Sequence, residues 1–361
     1  MRRGGLDKLW VAPYQEARQA YWRGAEGCCQ LAINLRIMKS SAILSFAIVV
    51  IFIVCGCSAH AAPPQGEKPG LRVMTYNVLY GGTKRGQPLS QTAKVIRESG
   101  ADIVGLQEIG GNAKELASLL GWKYLRHGSG AIMTRYEIVE SYDGRIKPRL
   151  GSGGVRVRLN SGREVYVFNV HLNPYPYQPY QLLGMGKDPI KTEAEAIAAA
   201  HKTRGSQIED LLGKIGKLPN KSLPVFVTGD FNEPSHLDWT EAAAKSGRHP
   251  VKVAYPSSSA MCALGFEDAW RAFHPDEMKH PGYTWTPLSK PDDPKDHHDR
   301  IDFVYFRGKG IEVKAAKIVG ENRETADIVV SPYPSDHRAA VAEFALPVRP
   351  ESGRGQRKRG R

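Results

Sequence analysis

The sequence predicts a mixed α/β fold of stacked sheets with helices outside, in one domain, and three observations predict it. Short apolar runs of strand length recur from residue 71 to residue 346. Helical apolar spacing separates some of these runs. Strands alternate with helices early in the chain and pair as hairpins later, a mixture that suits packed sheets with an outer helical layer.

Taken in order, the strand-like runs are Leu71 to Val78, Ile103 to Leu106, Ala131 to Thr134, Val155 to Leu159, Val165 to Val170, Val225 to Thr228, Ile301 to Phe306 and Ala340 to Phe344. Leu89 to Glu98 and Asn112 to Leu120 space their apolar residues as helices do. A longer helix is predicted over Lys191 to Lys217, with Ile208, Leu211, Leu212 and Ile215 on one face. Ser235 is placed to cap a helix over His236 to Lys245. The Asn160-Ser161-Gly162 segment turns the hairpin between Val155 and Val170. No internal repeat or interior linker is visible.

The two ends read differently. Lys39, then a mostly apolar segment from Ala42 to Val54, then Cys55-Gly56-Cys57 form a secretory signal pattern. The segment is shorter than the about 20 residues of a membrane span. Met38 is read as the true start, residues 1–37 as an upstream extension and residues 38–61 as the signal. Two cleavage readings stand: Ala59-His60-Ala61 precedes a small-residue cut before Ala62, and Val54-Cys55-Gly56-Cys57 resembles a bacterial lipobox that lipidates Cys57. The lipoprotein is slightly favoured, and both readings export the protein. A Pro-rich tether (residues 62–70) leads into the domain at 71–346, and residues 347–361 form a disordered basic tail.

Cys28, Cys29, Cys55 and Cys57 lie in those leading segments, so the body keeps Cys262 alone and no internal disulfide. Its 276 residues suffice to bury a core. The formal charge of +13 invites a nucleic-acid reading, but residues 1–70 and 347–361 supply nine of those charges. The body holds 36 Lys/Arg against 32 Asp/Glu, and only modest clusters at Lys84-Arg85 and Arg145 to Arg149. A nucleic acid therefore stays open as partner without being favoured by charge. A monomer is expected.

Chemistry concentrates at strand ends. Val225 to Thr228 runs into Gly229-Asp230-Phe231-Asn232, where Gly229 is read as a sharp turn and Asp230 and Asn232 as neighbours on one side. A carboxylate there can take a proton from water while the amide donates to an oxyanion; an ordinary Asx-turn is the plainer alternative. Asn77 closes the first strand, Glu108 the second and His171 a hairpin strand, while Asp302 lies inside an apolar strand and Ser335-Asp336-His337 precedes the last. Taken singly these read as a turn residue, a surface charge, a core histidine and half of an Arg300–Asp302 pair. Their common placement favours a shared site, because buried carboxylates are costly unless paired or metal-bound.

In this order, Tyr-Asn-Val, Gln-Glu, Val-His-Leu, Gly-Asp-Phe-Asn, Arg-Ile-Asp-Phe-Val and Ser-Asp-His resemble the endonuclease/exonuclease/phosphatase superfamily across residues 71–346. The resemblance implies a four-layer sandwich, two packed mixed β-sheets flanked by helices, and a divalent-metal phosphoesterase. It implies that Glu108 is the main metal ligand, with Asn77 beside it orienting phosphate or water. Mg²⁺ suits oxygen ligands of this kind, and Mn²⁺ can replace it. The resemblance further makes Asp230 the group that activates water, with Asn232 holding that water or a phosphoryl oxygen. His171 and His337 flank the phosphate, and Asp302 and Asp336 hold the histidines, Asp336 less directly.

Substrate choice is expected in loops. Tyr175, Tyr177 and Tyr180 follow His171 among three prolines and offer flat faces for a base, sugar, inositol or lipid headgroup, unless they pack inward. Trp285, in Gly282-Tyr283-Thr284-Trp285-Thr286, is read as core. Asp296-His297-His298-Asp299 packs two His between two Asp and could bind a metal, but neighbours on an extended chain point oppositely, and a solvated approach to the Asp302 strand is the favoured reading. The reading is an exported phosphodiesterase or nuclease. The alternatives are a sphingomyelinase-like headgroup phosphodiesterase, a sugar or inositol phosphatase, and a silent binding module.

Overall fold

The structure is a computed structural model, and it describes residues 70–143 and 152–347. The extension, the signal, the possible lipid site at Cys57, the cluster at 145–149 and nearly all of the tether and basic tail lie outside the described residues.

Thirteen strands are described: β1 Leu71–Asn77, β2 Ile103–Gln107, β3 Lys123–His127, β4 Gly130–Thr134, β5 Glu137–Asp143, β6 Gly153–Arg158, β7 Glu164–His171, β8 Val225–Asp230, β9 Glu267–Asp268, β10 Asp302–Arg307, β11 Glu312–Gly320, β12 Ile328–Val329 and β13 Ala339–Ala345. They form one sheet in the order β12-β11-β13-β1-β2-β4-β3 and another in the order β5-β6-β7-β8-β10-β9. Each mixes parallel with antiparallel pairs: β1 runs parallel to β2 and β7 to β8, while β13 and β10 return antiparallel.

Three apolar layers make this a four-layer sandwich. Val73, Ile103, Val167, Phe226 and Phe344 pack between the two sheets. Helices α1 (Leu89–Ser99) and α2 (Ala113–Leu120) bury Val95, Ile96 and Leu116 on the outer face of the first sheet. Ile208, Leu211 and Ile215 of α4 (Glu193–Gly216) cover the second, after the short α3 (Gln178–Leu182). Thr192 and Glu195 start α4 with a reciprocal capping box, which satisfies N–H groups a free helix end would strand.

All eight sequence-predicted strands form. Those the sequence did not reveal are polar or short: β3 is mostly exposed, and β11 alternates between exposed and half-buried residues over its first half. The helix expected from Ser235 is corrected. Ser235 Oγ accepts only from the Leu237 N–H, and helix α5 spans Glu241–Lys245 behind a Thr240 cap. Two further helices follow: α6 (Pro256–Ala263) adds Met261 to the outer layer of the second sheet, and α7 (Ala269–Phe273) places Ala269 and Trp270 in the layer between the sheets.

Two glycines set the spacing under the site. Gly229 is not a turn but an interior residue of β8, where an added Cβ would lie 2.4 Å from Val170 Cγ2. At Gly105 in β2 a Cβ would meet Thr228 Oγ1 at 1.9 Å, so the sheets close there only around glycine. Between them runs a buried polar ladder, with Gln107 Nε2 donating to Asn169 Oδ1 at 2.7 Å and Thr228 Oγ1 to the same oxygen at 3.0 Å.

Candidate active site

Strand register assembles the centre. His171 stands opposite Asp230 across the β7–β8 pair, and Asp302 opposite Asp230 across β8–β10. Three polar residues thus lie abreast at one sheet end, Asp230 in the middle. From the other sheet β1 brings Asn77, which donates Nδ2 to Asp230 Oδ2 at 2.9 Å. That same oxygen is 3.5 Å from His171 Nε2 and 3.7 Å from His337 Nε2.

Gly-Asp-Phe-Asn forms the Asx-turn and leaves one carboxylate oxygen of Asp230 turned to the site. Asp230 Oδ1 accepts from the Asn232 backbone N–H at 2.8 Å, an Asx-turn, while Oδ2 faces the histidines. Asn232 donates Nδ2 to the Leu172 carbonyl at 3.0 Å. Glu108 accepts the Tyr80 N–H on Oε2 at 3.0 Å, and its Oε1 is 3.4 Å from Asn77 Nδ2. Leu79, Tyr80, Glu108 and Asn232 all have positive φ, between 43° and 59°. Such backbone costs about 1–3 kcal/mol per residue and persists where the surroundings impose it.

His337 Nδ1 pairs with Asp302 Oδ2 at 2.9 Å, both buried. Burial opposes charge on His337, but Asp302 and then Asp230 outweigh it and raise its pKa to about 9. Burial lifts Asp302 as well; His337 works against that lift and Asp230 adds to it. Asp302 is therefore not half of a pair with Arg300. Arg300 turns to Asp238 (2.8 Å) and Asp268 (2.7 Å), fastening the entry to β10. Asp336 is buried next to His337 and its carbonyl accepts from Thr286 Oγ1, but the carboxylate on His337 Nδ1 is Asp302. Arg85 holds the same segment through the Ser335 carbonyl at 2.9 Å.

The tyrosine loop divides. Tyr175 is 49 % exposed, whereas Tyr177 is buried with its hydroxyl on Asp299 Oδ2 at 2.6 Å. Tyr180 is half-buried; it donates to Asp296 and accepts from Trp285 Nε1. Trp285 is not core. It is half-buried, with its ring centroid 5.0 Å from that of His337. Nor is 296–299 a solvated approach, since His298 and Asp299 are buried. Sequence reasoning missed Tyr80 and Trp285 as site neighbours; the Gly81-Gly82 pair after Tyr80 was the available sign of a special backbone.

Two donor sets offer themselves to a cation. Asp230, Asp302 and His337 each place one ligand atom within 4.8 Å of the others. A cation there would have to displace the proton that Asp302 and Asp230 hold on His337. Glu108, half-buried and acceptor-only when ionised, with the Asn77 amide at its side, fits a hard divalent ion better.

Residues 74–337 match the model of the Endonuclease/Exonuclease/phosphatase family. An uncharacterized protein of Caenorhabditis elegans is 27% identical over 315 residues, covering 82% of this chain and 98% of its own length. Humanized D. rerio TDP2 superposes with a TM-score of 0.51 at 19% identity, covering 77% of this chain and 100% of that one. An endonuclease/exonuclease/phosphatase from Beutenbergia cavernae gives 0.50 at 18% identity, with 77% and 72% covered. D. rerio TDP2 complexed with single-strand DNA product also gives 0.50, at 18% identity, with 77% and 99% covered. Sheet architecture and family match converge: the chain belongs to the endonuclease/exonuclease/phosphatase family and is a metal-dependent phosphoesterase.

Proposed function

We propose that this protein is an exported phosphodiesterase, with nucleic acid as first candidate substrate and Mg²⁺ as its metal. The observation that carries the reading is Asp230 Oδ2, set within 3.7 Å of two imidazole nitrogens and hydrogen-bonded by Asn77. Hydrolysis of a phosphoester needs a base for water, neutralisation of the nonbridging oxygens and help for the leaving oxygen. A divalent cation held by Glu108 beside Asn77 would supply the neutralisation.

In this proposal the remaining work falls to the chain. Asp230 takes the proton of the attacking water, oriented by its bonds to Asn77 and the Asn232 N–H. Asn232 places its amide near that water or a phosphoryl oxygen. His337, kept cationic by Asp302, donates to the charge growing on phosphate or to the leaving oxygen, and His171 flanks the opposite side. Asp336 acts by positioning the segment that carries His337. Tyr175 offers the exposed ring of the substrate loop; Tyr177 and Tyr180 support it from behind.

The D. rerio TDP2 complex with a single-strand DNA product supports testing DNA first. Export rests on the apolar signal pattern, with lipidation of Cys57 as one form of it. No helix among the described residues is long and apolar enough to cross a membrane. The test offers single- and double-stranded DNA, RNA, a generic diester, a generic monoester and sphingomyelin with Mg²⁺ or Mn²⁺, against Asp230→Ala. Metal-dependent cleavage of DNA, RNA or the generic diester, absent from the variant, supports the reading. Turnover of monoesters or sphingomyelin alone rejects it in favour of a phosphatase or headgroup enzyme.

A further inference from the structure

Behind the tyrosine loop, a second group of ligand-type side chains meets in a pocket of aromatic rings. His249 Nδ1 stands 3.2 Å from His297 Nε2, and His297 Nε2 stands 3.7 Å from Asp299 Oδ1. One ligand atom from each of the three lies within 4.8 Å of the others. In a tetrahedral zinc site with ligands at about 2.1 Å, neighbouring ligand atoms are about 3.4 Å apart, so the spacing is that of a ligand set. We propose that His249, His297 and Asp299 bind a divalent transition-metal ion of the Zn²⁺ class, with water in the fourth position.

The surroundings are those such a site needs. Trp239 Nε1 and the Tyr177 hydroxyl both donate to Asp299, at 2.9 and 2.6 Å, and fix the carboxylate. Oδ1 keeps a second lone pair after receiving Trp239. The Trp239 ring stacks on His249 at 4.1 Å between centroids and 10° between planes, which sets the imidazole plane. Buried Trp239, Val253 and Tyr255 close the apolar shell, while the His297 side chain is 13% exposed and leaves an entry path.

Alternation along residues 296–299 produces this arrangement. His297 and Asp299 turn towards His249, whereas Asp296 and His298 both turn to Ser289, at 2.6 and 2.9 Å. The nitrogen-rich set distinguishes it from Glu108 and Asn77, since imidazole favours zinc-like ions and carboxylate with amide oxygen favours Mg²⁺. A bound ion would tie the loop after β8 to the approach to β10. Through Tyr177 it would also tie the segment after His171, bracing the wall of the phosphoesterase site.

The test uses the full chain, stripped of metal and titrated with Zn²⁺ and Co²⁺ by calorimetry and visible absorption. Glu108→Gln/Asp230→Asn serves as background, which removes two carboxylates from the first centre. One Zn²⁺ per chain, a higher unfolding temperature and the intense visible bands of four-coordinate Co²⁺ are expected. Adding His297→Gln, at the ligand whose side chain is 13% exposed, should weaken zinc binding at least about 10-fold, with circular dichroism confirming a matched folded fraction. Tyr177→Phe should weaken it less, without removing the bands. Absence of stoichiometric zinc binding in the background protein, or undiminished binding after His297→Gln, overturns the proposal. Neither result depends on which phosphoester is cleaved.

Discussion

His337 Nδ1 and Asp302 Oδ2 are 2.9 Å apart in a buried pair, and this pair ties stability to pH. The folded pKa of His337, about 9, exceeds the unfolded value near 6.5. The His337 contribution is therefore fully present below about pH 6.5 and is lost as pH rises through about 9. Urea midpoints should fall between pH 6.5 and 9.5 in the natural protein, and fall less in His337→Gln. Equal slopes in both would remove His337 as the cause.

Asp302→Asn should lower the alkaline limit of activity, because it takes away the main charge that keeps His337 protonated. Breaking a buried pair also costs about 3–5 kcal/mol. The pH–rate profile separates this from simple destabilisation: a merely structural loss lowers the curve without moving its alkaline limb.

Asp230→Ala removes the oxygen between the two imidazoles and should reduce turnover by about 10²–10⁴-fold. Substrate turnover at matched folded fraction, checked by circular dichroism, is the measurement. Activity within a few-fold of the natural protein would assign water activation elsewhere.

Chelation should abolish phosphoester turnover, and added Mg²⁺ should restore it. Glu108→Gln should require at least about 10-fold more Mg²⁺ for half-maximal activity, given what one carboxylate contributes to a hard-ion site. An unchanged metal requirement would move the ligand role away from Glu108.

Gly105→Ala should destabilise by about 1–3 kcal/mol or more, since its Cβ would meet Thr228 Oγ1 and Asn169 Oδ1 at 1.9 and 2.4 Å. The variant's thermal midpoint reads this directly. Because Thr228 and Asn169 lie in β8 and β7, activity should fall further than stability alone predicts.

The layers and the main polar set were legible in the sequence because they follow local rules. Apolar runs marked the central strands, and Asn77, His171 and Asp230 close three of them, with Glu108 just after a fourth. What stayed hidden depends on partners far along the chain. Ser235 looked like a helix cap, yet helix α5 starts after Thr240. Gly229 looked like a turn, yet its small size serves contact with Val170 on the next strand. Tyr177 and Trp285 exchanged roles for the same reason: Asp299 draws the tyrosine in, and Tyr180 holds the tryptophan half-exposed against His337.

The alignment of His171, Asp230 and Asp302 across three paired strands makes turnover a test of completed folding. A one-residue slip of β10 against β8 would present Ile301 or Phe303 where Asp302 belongs and leave His337 without its counter-ion. A chain refolding from denaturant can therefore regain most of its strand content while still inactive. Enzyme activity should return last, and in step with the final locking of that one strand.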